Sequence, residues 1–325
     1  MSFFIFAIDM GKLIFVFTLS ILVLVGGCKK KDSSPPTPTL MTNGLKGVTT
    51  FIQTATDIYV TTFDATSGGG ISKVPKGGGS PVQIAKDDRS LRGLFADEKN
   101  IYWITSDSTL YSMSINADVP IKISEGFGGS MNYYGGQVHN NYVYTVDPVL
   151  KGRLIRLPLN SREPDVLITD QLYPHSLLIN NEDLYWATLA GAEIKKASLN
   201  DLKVVVLTNS IKALTLEQEA GFLYWYNDMS IERNNTQPRR FSISKMPISG
   251  GAIQVLRSDE KTIEGFGVRG GKIYWASEGR VQSMSTLGQD YKILASNLDS
   301  IKGLLVDDFF VYILHGVQLS RISSR

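Results

Sequence analysis

The sequence predicts an all-β fold built from seven copies of one four-stranded unit, and three observations support this. A tripeptide with a central tyrosine recurs seven times, and successive tyrosines lie 38 to 50 residues apart. All four tryptophans directly follow a tyrosine of this unit. Between the copies, short apolar runs alternate with Gly-, Asn- and Asp-containing turns, without helical periodicity. Repeats of this length indicate an array of small sheets. The copies are Ile58-Tyr59-Val60, Ile101-Tyr102-Trp103, Val143-Tyr144-Thr145, Leu184-Tyr185-Trp186, Leu223-Tyr224-Trp225, Ile273-Tyr274-Trp275 and Val311-Tyr312-Ile313.

The second copy shows how each unit divides into strands. Its predicted strands are residues 94–96, 101–104, 110–113 and 121–123, separated by polar turns. The second strand is apolar at consecutive positions, which a sheet tolerates when both of its faces are covered. The third strand alternates, as in Leu154-Ile155-Arg156-Leu157, so one of its faces is more exposed. The strand with the tyrosine therefore lies nearer the centre of the array.

A radial array of such sheets is a β-propeller, which protects strand edges by repetition. The sequence therefore predicts a seven-bladed β-propeller of four-stranded antiparallel blades over residues 39–325. The last copy ends at Arg325 with only three strands. Residues 39–41 precede the first blade, and we expect them to supply the missing outer strand and close the ring.

The repeat resembles the Tyr-Trp-Thr-Asp propellers of lipoprotein receptors. It is more similar to bacterial lipoproteins of unassigned function whose blades carry Tyr-Trp followed by a Gly-Gly turn, as in Lys76-Gly77-Gly78 and Ser249-Gly250-Gly251. The resemblance covers residues 39–325. Only Trp225-Tyr226-Asn227-Asp228 approaches the full tetrapeptide, and the copies number seven rather than six. Receptor-like ligand recognition is therefore not implied.

Residues 1–27 are predicted to be a signal peptide of the lipoprotein type. Residues 13–25 form an apolar segment of the length of a secretory signal, short for a membrane span. The ending Val25-Gly26-Gly27-Cys28 resembles the lipobox of bacterial lipoproteins, which implies that Cys28 is diacylated on sulfur and becomes the N-terminus. The alternative is an uncleaved anchor with an incidental cysteine. Translation starts at Met1 or at Met10.

Residues 28–38 are rich in Lys, Ser and Pro and are predicted to be an extended tether between the lipid anchor and the propeller. Lys29 follows the cysteine where an acidic residue is associated with inner-membrane retention. The resemblance therefore implies an outer-membrane lipoprotein of the cell envelope, on either its periplasmic or its surface face.

Composition excludes several classes of function. The chain has 33 basic and 31 acidic residues, and no basic cluster is interleaved with aromatic residues, so nucleic-acid binding is not expected. Cys28 is the single cysteine, which excludes an intrachain disulfide. The three histidines lack metal-ligand spacing, so neither a metal nor another cofactor is predicted. The protein is expected to be a monomer.

One polar or charged residue per repeat lies close to the start of each first strand, where it would line the mouth of the central channel. Converging cations raise the local concentration of anionic partners, which predicts an acidic ligand, either an envelope protein or an acidic polymer. The alternative is a solvated rim that binds nothing. The candidate residues are Lys46, Arg92, Asn132, His175, Lys212, Glu264 and Lys302.

Two further features bear on binding. Residues 229–240 form a polar insertion in the fifth copy, and a long loop on a rigid scaffold is a common recognition element. The repeat aromatics could stack on sugars or single strands, but their fixed register favours packing between blades.

The sequence favours a binding or scaffold module without catalysis. One alternative is a propeller enzyme of the lactonase or lyase type acting on carbohydrate or ester, although Glu264 is the single carboxylate among the seven mouth candidates and no Gly-x-Ser-x-Gly motif marks a nucleophile. Another is an assembly scaffold like the propeller lipoprotein of the outer-membrane insertion machinery, from which the blade number differs.

Overall fold

A computed structural model describes seven ranges of the chain. The backbone of Arg92 is described, but its side chain is not. Cys28, the tether up to residue 34 and the candidate Asn132 lie outside it as well. The described ranges are residues 35–64, 68–87, 89–117, 119–125, 136–160, 163–229 and 239–325.

The described residues form seven four-stranded antiparallel sheets, as predicted, and contain no helix. Within each blade the strands are named inner, second, third and outer. The first four blades contain β2 (Val48–Gln53), β3 (Asp57–Asp64), β4 (Gly68–Pro75) and β5 (Val82–Asp87); β6 (Leu91–Ala96), β7 (Asn100–Thr105), β8 (Leu110–Ser114) and β9 (Ile121–Ser124); β10 (Gly136–His139), β11 (Tyr142–Asp147), β12 (Gly152–Pro158) and β13 (Asp165–Gln171); and β14 (Pro174–Asn180), β15 (Asp183–Thr188), β16 (Glu193–Ser198) and β17 (Val204–Thr208).

The last three blades follow the same order, and the seventh takes its outer strand from the N-terminal side. They contain β18 (Ala213–Glu219), β19 (Phe222–Asp228), β20 (Phe241–Pro247) and β21 (Gln254–Glu260); β22 (Gly265–Arg269), β23 (Lys272–Ser277), β24 (Arg280–Ser285) and β25 (Lys292–Ala295); and β26 (Ile301–Val306), β27 (Phe310–His315), β28 (Gln318–Ser323) and β1 (Thr39–Thr42).

The Tyr-Trp pair fills the seams on both sides of its blade. Tyr102 packs with Val143 and Ile155 of the third blade, whereas Trp103 packs with Tyr59 of the first. Consecutive residues of a strand point to opposite faces, so each blade that carries the pair presents one large aromatic side chain to each neighbour. The predicted packing role of the aromatics is confirmed, because Trp186, Trp225 and Trp275 are fully buried and Trp103 is 2% exposed.

The N-terminal residues close the ring as predicted. In β1, Thr39 pairs with Arg321 and Leu40 with Ser320. Met41 is buried in the seam between the seventh and first blades. Further contacts join these two blades: Gln53 Nε2 donates to Val306 O at 2.7 Å, and Lys76 Nζ lies 2.8 Å from an Asp307 carboxylate oxygen.

The carboxylate of Asp307 takes part in the contacts that close the ring. Burial raises the pKa of its carboxyl, but hydrogen bonds from Lys76, from the N–H groups of Phe309 and Phe310 and from the Tyr312 hydroxyl outweigh burial and lower the pKa to about 2. Asp307 therefore stays ionised at neutral pH. Its charge lies against the Lys76 ammonium, across the seam between the seventh and first blades.

The two faces of the propeller differ. The mouth face is the face where the inner strands begin, and it carries loops such as residues 148–151 and 189–192. The turn face carries the tight turns between inner and second strands. One of these is Gly270-Gly271, whose φ angles of 62° and 73° favour glycine. Glu219 of the fifth blade accepts both of its N–H groups, at 2.6 and 2.8 Å.

Candidate functional site

Strand register shows which mouth candidates occupy equivalent positions. In each blade one inner-strand residue pairs with the repeat tyrosine, for example Phe95 with Tyr102. Counted from that residue, four candidates lie three residues upstream, and they are Arg92, His175, Glu264 and Lys302. Lys212 lies five residues upstream of its reference residue and Lys46 six. These two lysines are therefore farther out on the mouth face than the other four.

A β-bulge accounts for part of this arrangement. Leu91 pairs with Thr105 and Gly93 with Ile104, so Arg92 is an extra residue in the inner strand. Lys302 is the extra residue of β26 in the same way. A bulge adds one residue and re-aims the side chain next to it. In the first and fifth blades the equivalent position holds Thr49 and Leu214.

Three lysines of the mouth face carry uncompensated charge. Lys46 and Lys302 are exposed and Lys212 is half-buried. None of the three takes part in an ion pair within the described ranges. Neighbouring cations do: Arg89 pairs with Asp87 at 2.7 Å and with Asp107 at 2.6 Å, Arg153 pairs with Asp147 at 3.2 Å, and Lys261 pairs with Glu278 at 2.8 Å.

The other two described candidates are largely buried. Burial lowers the pKa of His175, although a hydrogen bond to the Leu214 backbone opposes the shift, so the imidazole is neutral at pH 7. The Oε2 atom of Glu264 is buried and has no hydrogen-bond partner in the described part of the chain. Among the described candidates, the three lysines and not His175 therefore carry positive charge at pH 7.

An apolar patch lies on the mouth face, and sequence reasoning missed it. Val149 and Leu150 follow a second strand, and Leu172 and Tyr173 link the third blade to the fourth. These side chains are 42%, 55%, 41% and 43% exposed. The Tyr173 N–H donates to Val149 O at 3.0 Å, which joins the two loops. We call these four residues the mouth patch. In the sequence it is visible only as two pairs of consecutive apolar residues in predicted loops.

The polar insertion of the fifth blade begins and ends on the mouth face. It connects β19 to β20, as predicted, and residues 230–238 lie outside the described ranges. At its base, Met229 N donates to Arg240 O at 2.8 Å. The two ends of the insertion are therefore held together beside the mouth.

The three histidines lie on three different blades. His175 is on β14, at the mouth. His139 ends β10 on the turn face, where its Nε2 lies 2.9 Å from Asn140 Nδ2. His315 is buried with Ser320, and its Nε2 lies 3.0 Å from the serine Oγ. Across the described ranges, no three His, Cys, Asp or Glu side chains gather closely enough to hold a metal ion.

Comparison with solved structures identifies the fold class. The WD40 propeller domain of Doa1 matches with a TM-score of 0.64 at 11% identity, covering 89% of this chain and 97% of that one. A nidogen/laminin complex structure matches with a TM-score of 0.50 at 13% identity, covering 67% and 85%. A protein from Agrobacterium tumefaciens classed as TolB matches with a TM-score of 0.50 at 14% identity, covering 66% and 84%.

The chain is a β-propeller. Identities this low establish a shared fold and nothing about ligands. No protein-family model matches the sequence, and no curated protein is significantly similar to it. None of the described residues belongs to a helix long and apolar enough to cross a membrane.

Proposed function

We propose that this propeller is a binding module whose mouth face holds an acidic partner in the cell envelope. The observation that carries the proposal is the set of three lysines, Lys46, Lys212 and Lys302, which have no ion-pair partner among the described residues, whereas Arg89, Arg153 and Lys261 of the same face are paired. Unneutralised charges on one face add their potentials and draw anions to it. The mouth patch and the base of the insertion lie on the same face.

The chemistry of the face favours a protein partner over a plain polyanion. Exposed apolar patches on soluble proteins mark contact sites, and interfaces combine apolar anchors with a polar rim. The mouth patch supplies apolar contact area, and the lysines supply attraction and orientation. An acidic protein segment with apolar side chains fits both features.

Neutralising the three lysines tests the electrostatic part of this proposal. The variant Lys46→Gln/Lys212→Gln/Lys302→Gln should bind fluorescein-labelled poly-L-glutamate about tenfold more weakly at low salt, as measured by fluorescence anisotropy. The difference should shrink as ionic strength rises, because the Debye length falls to about 8 Å at physiological salt. The melting temperature should change little, since none of the three lysines has an ion-pair partner among the described residues and surface substitutions of this kind usually stay within about 0.5 kcal/mol each.

The matched control changes three exposed lysines away from the mouth, Lys99, Lys203 and Lys292. Lys272 is unsuitable, because its Nζ donates to Ser324 O at 2.8 Å between the sixth and seventh blades. Equal binding of poly-L-glutamate by the two triple variants would show that the mouth is only a solvated rim.

We propose further that Cys28 anchors the protein to the outer membrane, as the resemblance to bacterial lipoproteins implies. Thioether acylation requires the cysteine sulfur. The variant Cys28→Ser should therefore stay unprocessed or become soluble, which membrane fractionation and intact-mass analysis would detect. A Cys28→Ser protein that matures and still fractionates with the outer membrane would contradict the lipoprotein assignment.

A further inference from the structure

The sequence contains a single Asn-Gly pair, Asn43-Gly44, in the segment between β1 and β2. An asparagine before a glycine is the arrangement in which the side-chain amide reacts most readily with the next main-chain nitrogen, because glycine has no Cβ to hinder the approach and rotates easily. Both residues are exposed. Water therefore reaches the atoms that would react.

This pair lies on the mouth face, beside the turn between β27 and β28. β1 is antiparallel to β28 and ends at the buried Thr42, and β2 begins on the mouth face. The Leu45 N–H donates to Val317 O of that turn at 2.9 Å, and Leu45 is 4% exposed. Residues 43 and 44 are therefore the exposed part of a short link whose two ends are held in place.

The side-chain carbonyl of Asn43 lies against the nitrogen of Gly44. The Gly44 N–H donates to Asn43 Oδ1 at 2.6 Å. No main-chain acceptor in the described ranges holds this N–H, since Gly44 lies beyond the paired residues of β1. Gly44 has a φ of 82°, and apart from its chain neighbours no heavy atom lies within 4 Å of the position that a Cβ would take. The backbone therefore has room to turn the nitrogen toward the side-chain carbon.

We propose that Asn43 is a site of spontaneous deamidation, which adds a negative charge to the mouth face. The Gly44 nitrogen attacks Asn43 Cγ, the new C–N bond closes a succinimide ring, and the bond from Cγ to the amide nitrogen breaks. The amide nitrogen takes the proton of the Gly44 N–H and leaves as ammonia. Water then opens the succinimide at either carbonyl, which gives aspartate or isoaspartate, and both are ionised at neutral pH. The net reaction consumes one water and releases one ammonia.

Two other exposed asparagines serve as internal references for the rate. Asn200 precedes Asp201, and Asn297 precedes Leu298. In both cases the following residue carries a Cβ next to the main-chain nitrogen, which hinders attack on the side-chain amide. Asn43 should therefore react faster than either reference in the same molecule and the same solution.

The new carboxylate lies close to Lys46, one of the three mouth lysines without an ion-pair partner in the described ranges. The Lys46 N–H donates to Gly44 O at 3.0 Å, which keeps this lysine beside the reactive pair. A negative charge at residue 43 lowers the positive potential around Lys46. This consequence rests on the proposed function: as the protein ages, deamidation weakens the attraction of the mouth face for an acidic partner.

Peptide mapping with enzymatic labelling of isoaspartate tests the chemistry in the folded wild type. We expect residue 43 to convert at least about tenfold faster than Asn200 or Asn297 at about pH 8.5. Conversion should be at least about tenfold slower at about pH 6, because the attacking nitrogen must lose its proton. Asn43→Gln should abolish conversion at this position, since the longer side chain closes a less favourable ring. Conversion at residue 43 no faster than at Asn200 and Asn297 would overturn the proposal.

A pair of variants tests the effect of the charge on the mouth. Asn43→Asp carries the product charge from the start, whereas Asn43→Gln keeps a neutral amide. Labelled poly-L-glutamate should bind Asn43→Asp about two- to threefold more weakly than Asn43→Gln at low salt, and aged wild type should move toward the Asn43→Asp value.

The two parts of the proposal fail separately. Isoaspartate mapping involves no ligand, so its result does not depend on the acidic-partner proposal. If the triple lysine variant loses poly-L-glutamate binding while Asn43→Asp and Asn43→Gln bind it equally, the charge at residue 43 has no effect on the mouth, and the second part is wrong.

Discussion

A chain that begins at Gly44 should melt at least about 10 °C below a chain that begins at Thr39, as measured by scanning calorimetry. The shorter chain lacks β1, so β28 becomes a bare edge of a three-stranded blade. It also loses Met41, which is buried in the seam between the seventh and first blades. Burial of one such side chain contributes about 2–3 kcal/mol, and the lost strand pairing adds to this.

The control for this truncation is a comparison of the chain that begins at Thr39 with the full-length chain, since neither lacks β1. These two should melt within about 2 °C of each other. Met41→Ala separates side-chain burial from strand pairing, and should account for about 2–4 kcal/mol by itself. Coincident melting of the chains that begin at Thr39 and Gly44 would show that β1 adds nothing to ring closure.

The second large effect is a pH-dependent gain in stability on replacing Glu217 with leucine. Burial raises the pKa of the folded-state carboxyl from 4.5 to about 7. Between these pH values the native state holds a proton that the unfolded chain has released. The Glu217 contribution to stability is therefore fully present below about pH 4.5 and is lost as pH rises through about 7.

The size of this loss follows from the pKa shift. A pKa difference of one is worth about 1.4 kcal/mol, so the full loss is at most about 3.5 kcal/mol, and partial solvent exposure of the carboxyl reduces it. We expect the free energy of unfolding of Glu217→Leu minus that of the wild type to rise by about 2–3 kcal/mol between pH 4.5 and 8.5 in urea titrations. Glu98→Gln should show no such rise. A flat difference for Glu217→Leu would mean that the carboxyl is solvated.

Local sequence determines the blades because each depends on short-range chemistry. The packing role of the Tyr-Trp pair can be predicted from the sequence. One residue of the pair faces each neighbouring blade, and large aromatic side chains fill the space between blades. Ring closure by residues 39–41 is readable as well, because a seventh copy with three strands leaves one partner position vacant. The turns follow from residues such as Gly270 and Gly271, whose backbone conformation is local.

The arrangement of the candidate site residues was harder to predict from the sequence, because it depends on strand register. Lys46 and Lys212 match Arg92 and Lys302 in charge, but the strand register places them two or three residues farther upstream of the residue that pairs with the repeat tyrosine. Sequence spacing does not resolve a shift of this size. Nor does it indicate which cations of the face are neutralised, since partners such as Asp107 for Arg89 lie in another loop.

The sequence by itself determined the number of blades, their strand order and the closure of the ring, because all three follow from a local pattern repeated seven times. The tertiary structure alone decided where charge is left uncompensated. Glu217 looks like any strand glutamate in the sequence, and only the packed blades bury its carboxyl and raise its pKa. Charge compensation depends on distances between residues far apart in the chain, and those distances exist only once the blades have packed.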